Sequence, residues 1–115
     1  MSQRTKNPPL HVQILVTAGN TQATATKING AVSPGFVLAA GDDVTGMMLP
    51  TAGKGKYYFI KNTGTTQIAG LYVYPFTGQQ INSLGANNPI LLPMQTGAVF
   101  ISDGATWHTV PVVPS

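Results

Sequence analysis

Three residues near the C-terminal end have side chains of the types that perform nucleophilic catalysis. Ser102, Asp103 and His108 match a hydrolase triad, in which a histidine takes the serine proton and a carboxylate orients the histidine. Asp103 and His108 flank a short turn, so their side chains can approach each other. Ser102 lacks the Gly-x-Ser-x-Gly context of a nucleophile elbow. We therefore favour turn capping by Asp103 and a surface position for His108 over catalysis.

The remaining acids and histidines do not suggest a second kind of active site. Asp42 and Asp43 are adjacent and follow a glycine, whereas a glycosidase needs two separated carboxylates, so a turn is the simpler interpretation. His11 and His108 are far apart, with no carboxylate at ligand spacing. Only three acidic residues exist in the chain. We expect a protein that is not an enzyme and holds no metal or cofactor.

The basic residues are too few for a nucleic-acid site. The chain has six Lys and Arg residues and a net charge of +3, and phosphate neutralisation needs several clustered contacts. The one local concentration is Lys54, Lys56 and Lys61. The segment around Lys54 lacks the Gly-x-x-x-x-Gly-Lys-Ser/Thr spacing of a phosphate loop. We expect no nucleic-acid partner.

Aromatic residues are concentrated in two segments that form one cluster if the segments pair. Such a cluster suits stacking of sugars or bases, but also a core with a subunit interface, where aromatic residues are enriched. We favour core and interface, and we place the lone Trp107 in the core. The cluster comprises Tyr57, Tyr58, Phe59, Tyr72, Tyr74 and Phe76.

The composition indicates a surface suited to packing against other protein. Only 8% of the 115 residues are charged, against about 25% in typical domains. Charged groups are depleted in the centres of interfaces, because removing them from water is costly. No segment has the length of a membrane span, and the apolar stretch 12–16 is too short for a signal-peptide core. We expect no membrane association.

Turn signals recur about every ten residues, and the segments between them are rich in Val, Ile, Thr, Tyr and Phe. This pattern is typical of an all-β sandwich or barrel. We predict an antiparallel β-sandwich or jelly-roll-like barrel over residues 11–115, preceded by an extended arm over residues 1–10. The predicted strands are His11–Thr17, Thr21–Ile28, Gly35–Ala39, Thr45–Leu49, Lys56–Asn62, Gln67–Tyr74, Ile90–Leu92, Gly97–Ser102 and Thr106–Val112.

Two local features of these strands can be specified further. The last two strands are predicted to form a hairpin, with Gly104 able to adopt positive φ in the turn. In the strand Gly97–Ser102, Val99 and Ile101 alternate with Ala98 and Phe100, so both faces are apolar. One face would pack on a second sheet, and the other on a neighbouring subunit.

Three segments resemble a β-rich module of tailed-bacteriophage virion proteins. They read Gly-Lys-Gly-Lys-Tyr-Tyr-Phe-Ile-Lys-Asn-Thr-Gly (53–64), Leu-Tyr-Val-Tyr-Pro-Phe-Thr-Gly-Gln-Gln-Ile-Asn (71–82) and Ala-Val-Phe-Ile-Ser-Asp-Gly-Ala-Thr-Trp-His (98–108). The resemblance covers about half of the chain. Similar modules occur in small capsid decoration (cement) proteins and in segments of tail fibres and spikes, and they commonly assemble as trimers.

The resemblance implies a homotrimer that binds the major capsid protein on the outside of a virion assembled in the host cytoplasm. The alternative is a tail-fibre or receptor-binding module that contacts a host surface glycan. In the first case the basic N-terminal segment would contact the capsid, and aromatic residues would form the trimer interface. The capsid-contact candidates are Arg4, Lys6, Pro8 and Pro9, and the interface candidates are Tyr57, Phe59, Tyr72 and Tyr74.

Overall fold

The structure is a computed structural model that describes residues 11–17, 19, 21–30, 35–40, 44–66 and 69–110. The described residues form ten β-strands and contain no helix, so the predicted all-β class is confirmed. The arm predicted for residues 1–10 lies outside the described residues. The strands are β1 (His11–Val16), β2 (Thr26–Lys27), β3 (Gly35–Ala40), β4 (Thr45–Met48), β5 (Tyr57–Asn62), β6 (Gly70–Tyr74), β7 (Gln80–Ile81), β8 (Ile90–Pro93), β9 (Gly97–Ser102) and β10 (Thr106–Val110).

The chain alternates between two sheets as it proceeds. A six-stranded sheet has the order β1-β3-β5-β9-β10-β7, and a four-stranded sheet has the order β2-β4-β6-β8. From β1 to β8, every strand is followed by a strand of the other sheet. Consecutive strands in this part therefore do not pair with each other; β1 to β7 each pair with a later strand, and β8 pairs with the earlier β6.

The first six strands wind as three coils stacked in parallel. β1 pairs in parallel with β3, and β3 with β5; β2, β4 and β6 are also parallel. His11 aligns with Gly35, 24 residues later, and Gly35 with Tyr58, 23 residues later. The predicted antiparallel sandwich is therefore wrong for this half, which is solenoid-like. Turn signals of this half, such as Asn29-Gly30 and Gly53-Lys54-Gly55, lie in connections that cross from one sheet to the other.

The last four strands do not continue the parallel coils. β8 runs antiparallel to β6, and β9 runs antiparallel to both β5 and β10, while the short β7 pairs in parallel with β10. The predicted hairpin of β9 and β10 is confirmed, and Gly104 in its turn has a φ of 106°. This conformation is readily available only to glycine.

One predicted strand is much longer than the observed one, and one observed strand was not predicted. The strand expected over Thr21–Ile28 is reduced to Thr26–Lys27, because the preceding residues form a turn. The Thr24 amide donates to the Thr21 carbonyl at 3.2 Å, and the two hydroxyls lie 2.7 Å apart. β7 was not predicted, because two residues provide too short a run for an alternation signal.

The facing sides of the two sheets enclose a single hydrophobic core. Trp107 is fully buried, its ring centroid lies 6.0 Å from that of Tyr58, and its Nε1 donates to the Pro50 carbonyl at 3.2 Å. The prediction that Trp107 belongs to the core is confirmed. Both sheets contribute to the core, whose members are Ile28, Val37, Ala39, Met47, Leu49, Ala52, Tyr58, Ile60, Leu71, Val73, Ile81, Leu92, Ala98, Phe100 and Trp107.

Candidate functional site

The structure separates the residues of the candidate catalytic triad. Ser102 pairs with Trp107 in the β9–β10 ladder, and both are buried. His108 is the next residue after Trp107, so it projects to the opposite, exposed side of the sheet. The Ser102 Oγ accepts the Gly104 amide at 3.1 Å. Because the sheet lies between the hydroxyl and the imidazole, the histidine cannot take the serine proton in this arrangement.

Asp103 caps the turn between β9 and β10, as predicted. Its Oδ1 accepts the amides of Ala105 at 2.9 Å and Thr106 at 2.8 Å, and its Oδ2 lies 2.9 Å from the His108 Nε2. The hydrogen bond with His108, followed by those from the two amides, holds the pKa of Asp103 well below its usual value. The carboxylate therefore organises the hairpin turn.

This lowered pKa predicts a specific pH dependence for the Asp103→Asn variant. A depressed carboxyl pKa contributes stability above the unfolded pKa of about 3.9, and that contribution is lost as the pH falls. We expect the melting temperature of the wild type to exceed that of Asp103→Asn at pH 7, and the gap to shrink below about pH 4. Thermal unfolding followed by circular dichroism, repeated from pH 7 to below about pH 4, measures the melting temperatures of the two proteins.

The His108→Ala variant is the matched control, since it removes the imidazole but keeps both amide bonds to Asp103. It should retain part of the acid-dependent loss of stability. Identical pH profiles for the wild type and Asp103→Asn would contradict the proposed role of this carboxylate.

The three lysines that are close in sequence are not clustered in space. Lys56 precedes β5, and its side chain packs over Gly53, where a Cβ would lie 3.0 Å from the Lys56 Cε. Lys54 lies beside the Gly104 turn. Lys61 is the fifth residue of β5, roughly 16 Å along the strand from Lys56 at about 3.3 Å per residue. These three lysines therefore occupy two separate positions rather than one continuous basic patch.

The other positions considered for chemistry are only partly described. Asp42 and Asp43 lie outside the described residues, and for His11 only the backbone position in β1 is described. Within the described part of the chain there is no group of three or more His, Cys, Asp or Glu residues that could hold a metal ion. The same residues form no detectable ligand-sized cavity.

The expected single aromatic cluster is not formed. β5 and β6 belong to different sheets, so the interface candidates divide into two pairs on opposite outer faces of the molecule. Tyr57 and Phe59 are exposed on the six-stranded sheet, whereas Tyr72 and Tyr74 are half-buried on the four-stranded sheet. Tyr58, between the first two, points into the core.

The Tyr72 and Tyr74 pair packs against the chain's own residues. Their ring centroids are 6.3 Å apart, and a Cβ placed on Gly46 would lie 3.4 Å from the Tyr74 Cε2. Burial, and then the neighbouring Tyr72, raise the pKa of the Tyr74 hydroxyl. This pair therefore presents less apolar surface than its composition suggests.

The outer side of the six-stranded sheet, in contrast, carries a broad set of exposed apolar side chains. Their exposed fractions range from 37% to 71%. We call this set the apolar face. It consists of Val12, Ile14, Phe36, Tyr57, Phe59, Ile101 and Val110.

A continuous row runs through the centre of the apolar face, across five neighbouring strands. Strand pairing aligns Val12 with Phe36, Phe36 with Phe59, Phe59 with Val99, and Val99 with Val110. At its middle, the Phe36 and Phe59 ring centroids are 5.5 Å apart at an angle of 57°. The row is perpendicular to the strands and parallel to the direction in which the coils stack.

The sequence pattern predicts only some of the residues of the apolar face. Tyr57 and Phe59 were proposed as interface residues, and Ile101 and Val99 as one side of β9. Val12, Ile14 and Phe36 were missed, because their alignment depends on the parallel coils. The nearly constant spacing of these residues, 24 from Val12 to Phe36 and 23 from Phe36 to Phe59, is the feature of the sequence that could have indicated parallel coils.

The charged groups near the apolar face lie in the rows on either side of its central row. Lys61 is aligned with Leu38 on one side, and on the other side His108, which pairs with Asp103, is aligned with Ile101. The central row itself is free of charged residues. The capsid-contact candidates Arg4, Lys6, Pro8 and Pro9 lie outside the described residues.

Comparisons with known proteins do not assign this chain to a family. No family model, no curated protein and no solved structure matches this chain. Among the described residues, no helix is long and apolar enough to cross a membrane.

Proposed function

We propose that this protein is a structural virion component that decorates and stabilises a bacteriophage capsid by binding its outer surface as a homotrimer. The observation that carries the proposal is the apolar face on a protein with few charged residues. Monomeric soluble proteins rarely expose a contiguous apolar patch of more than a few hundred Å², and larger patches mark interaction sites. A chain of this kind functions by assembly with other protein.

The three segments that resemble phage virion modules give the proposal its viral context. In the fold they form one connected half: β5 and β9 pair, β9 and β10 form the hairpin, and β6 carries the intervening segment in the other sheet. The Asn62-Thr63-Gly64 segment begins at the last residue of β5, and the Gly64 amide donates to the Asn62 Oδ1 at 2.9 Å. The motifs are therefore parts of one folded unit rather than isolated turns.

A homotrimer suits the proposed role for a thermodynamic reason. Three identical contacts to the shell make the second and third binding events intramolecular, so modest contacts combine into tight attachment. A ligand that binds the assembled shell and not its separated subunits stabilises the shell by mass action. Decoration would thus raise the temperature at which the capsid opens.

The test is co-sedimentation of the purified full-length chain with heads of the virus that encodes it, before and after head expansion. We expect saturable binding to expanded heads and a higher temperature of DNA release from decorated heads. Binding to a glycan array without binding to heads would instead support the tail-fibre or receptor-binding alternative. Absence of binding to heads in both states would overturn the proposal.

A further inference from the structure

We infer that the apolar face is the surface through which copies of this chain bind one another. This inference deepens the proposed function, because it names the interface of the oligomer. It rests on the proposed function only for the number of copies in that oligomer.

The size of the face approaches that of a stable protein interface. The exposed fractions of its seven side chains correspond to roughly 600 Å² of surface, since an aromatic side chain presents on the order of 150–250 Å² and Val and Ile present somewhat less. A standard interface buries about 800 Å² per partner. The half-exposed Leu38 and Val99 lie within the same area and add to it, so burial of this face alone is close to what a stable complex requires.

The chemistry of the face favours a protein partner that remains bound. Its central row offers apolar and aromatic surface without charged or amide side chains, so a sugar hydroxyl or a phosphate would find no polar group there. Interfaces of obligate oligomers are the most apolar class. The groups able to carry charge lie in the two rows that flank the central row, at Lys61 and at the Asp103–His108 pair. The apolar centre is therefore bordered by polar positions, as in many protein interfaces.

The geometry of the row fits a second copy of the same chain. The row crosses five strands at the centre of the face, so two copies can place row against row, with the Phe36–Phe59 pairs at the middle of the contact. Because the central row has no charged residue, two copies can bring their rows together without placing like charges opposite each other. A two-fold contact requires a self-complementary surface of this kind; around a three-fold axis, one half of the row in each copy would contact the other half in the next copy.

The test introduces a charge at two positions of the row and measures the mass of the assembly. The variants are Phe59→Lys at the centre and Val110→Lys at the end, where the side chain is 55% exposed. Leu91→Lys is the matched control, because Leu91 is 40% exposed on the four-stranded sheet and Phe59 is 38% exposed on the six-stranded sheet. Sedimentation equilibrium gives the mass, and circular dichroism checks that each variant is folded.

We expect an oligomeric wild type, an oligomeric Leu91→Lys variant, and folded monomers for the two row variants. The dissociation constant should rise by at least about 100-fold at Phe59, since interface centres contain the most sensitive positions. Val110→Lys keeps the test decisive if Phe59→Lys fails to fold. A monomeric wild type would overturn the inference, as would dissociation by Leu91→Lys with both row variants still oligomeric.

Further outcomes separate this inference from the proposed function. A dimer that both row variants dissociate would support the inference and overturn the trimer. A trimer that is dissociated by the row variants but binds no heads would support the inference and overturn capsid decoration. A monomeric wild type whose binding to heads is lost in Phe59→Lys would assign the apolar face to the capsid protein and overturn self-association.

Discussion

Replacing Trp107 with alanine should lower the free energy of unfolding by about 3–5 kcal/mol, the usual cost of removing a large aromatic side chain from a core. Trp107 is fully buried, and it contacts both the Tyr58 ring and the Pro50 carbonyl. Truncation leaves a cavity between the sheets and removes the donor to Pro50. Because a domain of this kind is stable by about 5–15 kcal/mol in total, a large share of its stability would be lost.

Two comparisons make the Trp107 result specific. Trp107→Phe keeps most of the volume and loses only the Nε1 donor, so it should cost clearly less than Trp107→Ala. His108→Ala alters the adjacent but exposed residue of β10 and should change stability by under about 1 kcal/mol. Urea unfolding followed by circular dichroism, at one protein concentration for all variants, provides the measurement. Equal costs for Trp107→Ala and His108→Ala would show that Trp107 does not hold the two sheets together.

Replacing Asn62 with aspartate should cost about 3–5 kcal/mol at neutral pH, as expected for an uncompensated buried charge. Asn62 ends β5 and is buried. Its Nδ2 donates to the Ala69 carbonyl at 3.2 Å and the Leu92 carbonyl at 2.9 Å, and its Oδ1 accepts the Gly64 amide at 2.9 Å. A carboxylate at this position would bring negative oxygen against two carbonyl oxygens.

The cost of Asn62→Asp should decrease as the pH is lowered. Burial and the two carbonyls disfavour the ionised form, so the pKa of the new carboxyl in the folded protein lies above its unfolded value. The folded variant then binds a proton more readily than the unfolded chain, and the difference from the wild type narrows towards acid pH. Comparing both proteins at each pH removes the separate contribution of Asp103.

Asn88→Asp is the matched control for Asn62→Asp. Asn88 also donates to a backbone carbonyl, that of Leu84 at 2.7 Å, but it is exposed to solvent. We expect a cost of under about 1 kcal/mol there, because water solvates the new charge. Similar losses of unfolding free energy at positions 62 and 88 would contradict the role assigned to the buried Asn62 side chain. So would a loss at position 62 that does not change with pH.

Local patterns predicted much of the secondary structure because they depend on neighbouring residues. Alternation in β9 correctly placed Ala98 and Phe100 on one side of the strand and Ile101 on the other, and the structure shows that the first two point inward. The glycine at position 104 marked the hairpin turn, and Asp103 was correctly assigned to it. Each of these features requires only the two-residue period of a strand or the backbone requirements of a turn.

The separation of Ser102 from His108 depends on the pairing of two strands. In sequence, the serine, the aspartate and the histidine are close enough to suggest a triad. The hairpin register aligns Ser102 with Trp107, which puts Ser102 on the buried side and His108 on the exposed side. A register different by one residue would have reversed the sides of one strand relative to the other.

The composition and local alternation determined that this chain is all-β, that its turns lie about ten residues apart and that Trp107 belongs to the core. Only the tertiary structure decided that successive strands enter opposite sheets and that the first six wind in parallel. Alternation states which side chains share a face, but it does not say which strands are neighbours. The strand pairing brought Val12, Phe36 and Phe59 into one row and placed Tyr72 and Tyr74 on the other side of the molecule. This pairing depends on residues distant in sequence, because it is the arrangement that buries the inner sides of both sheets in one core.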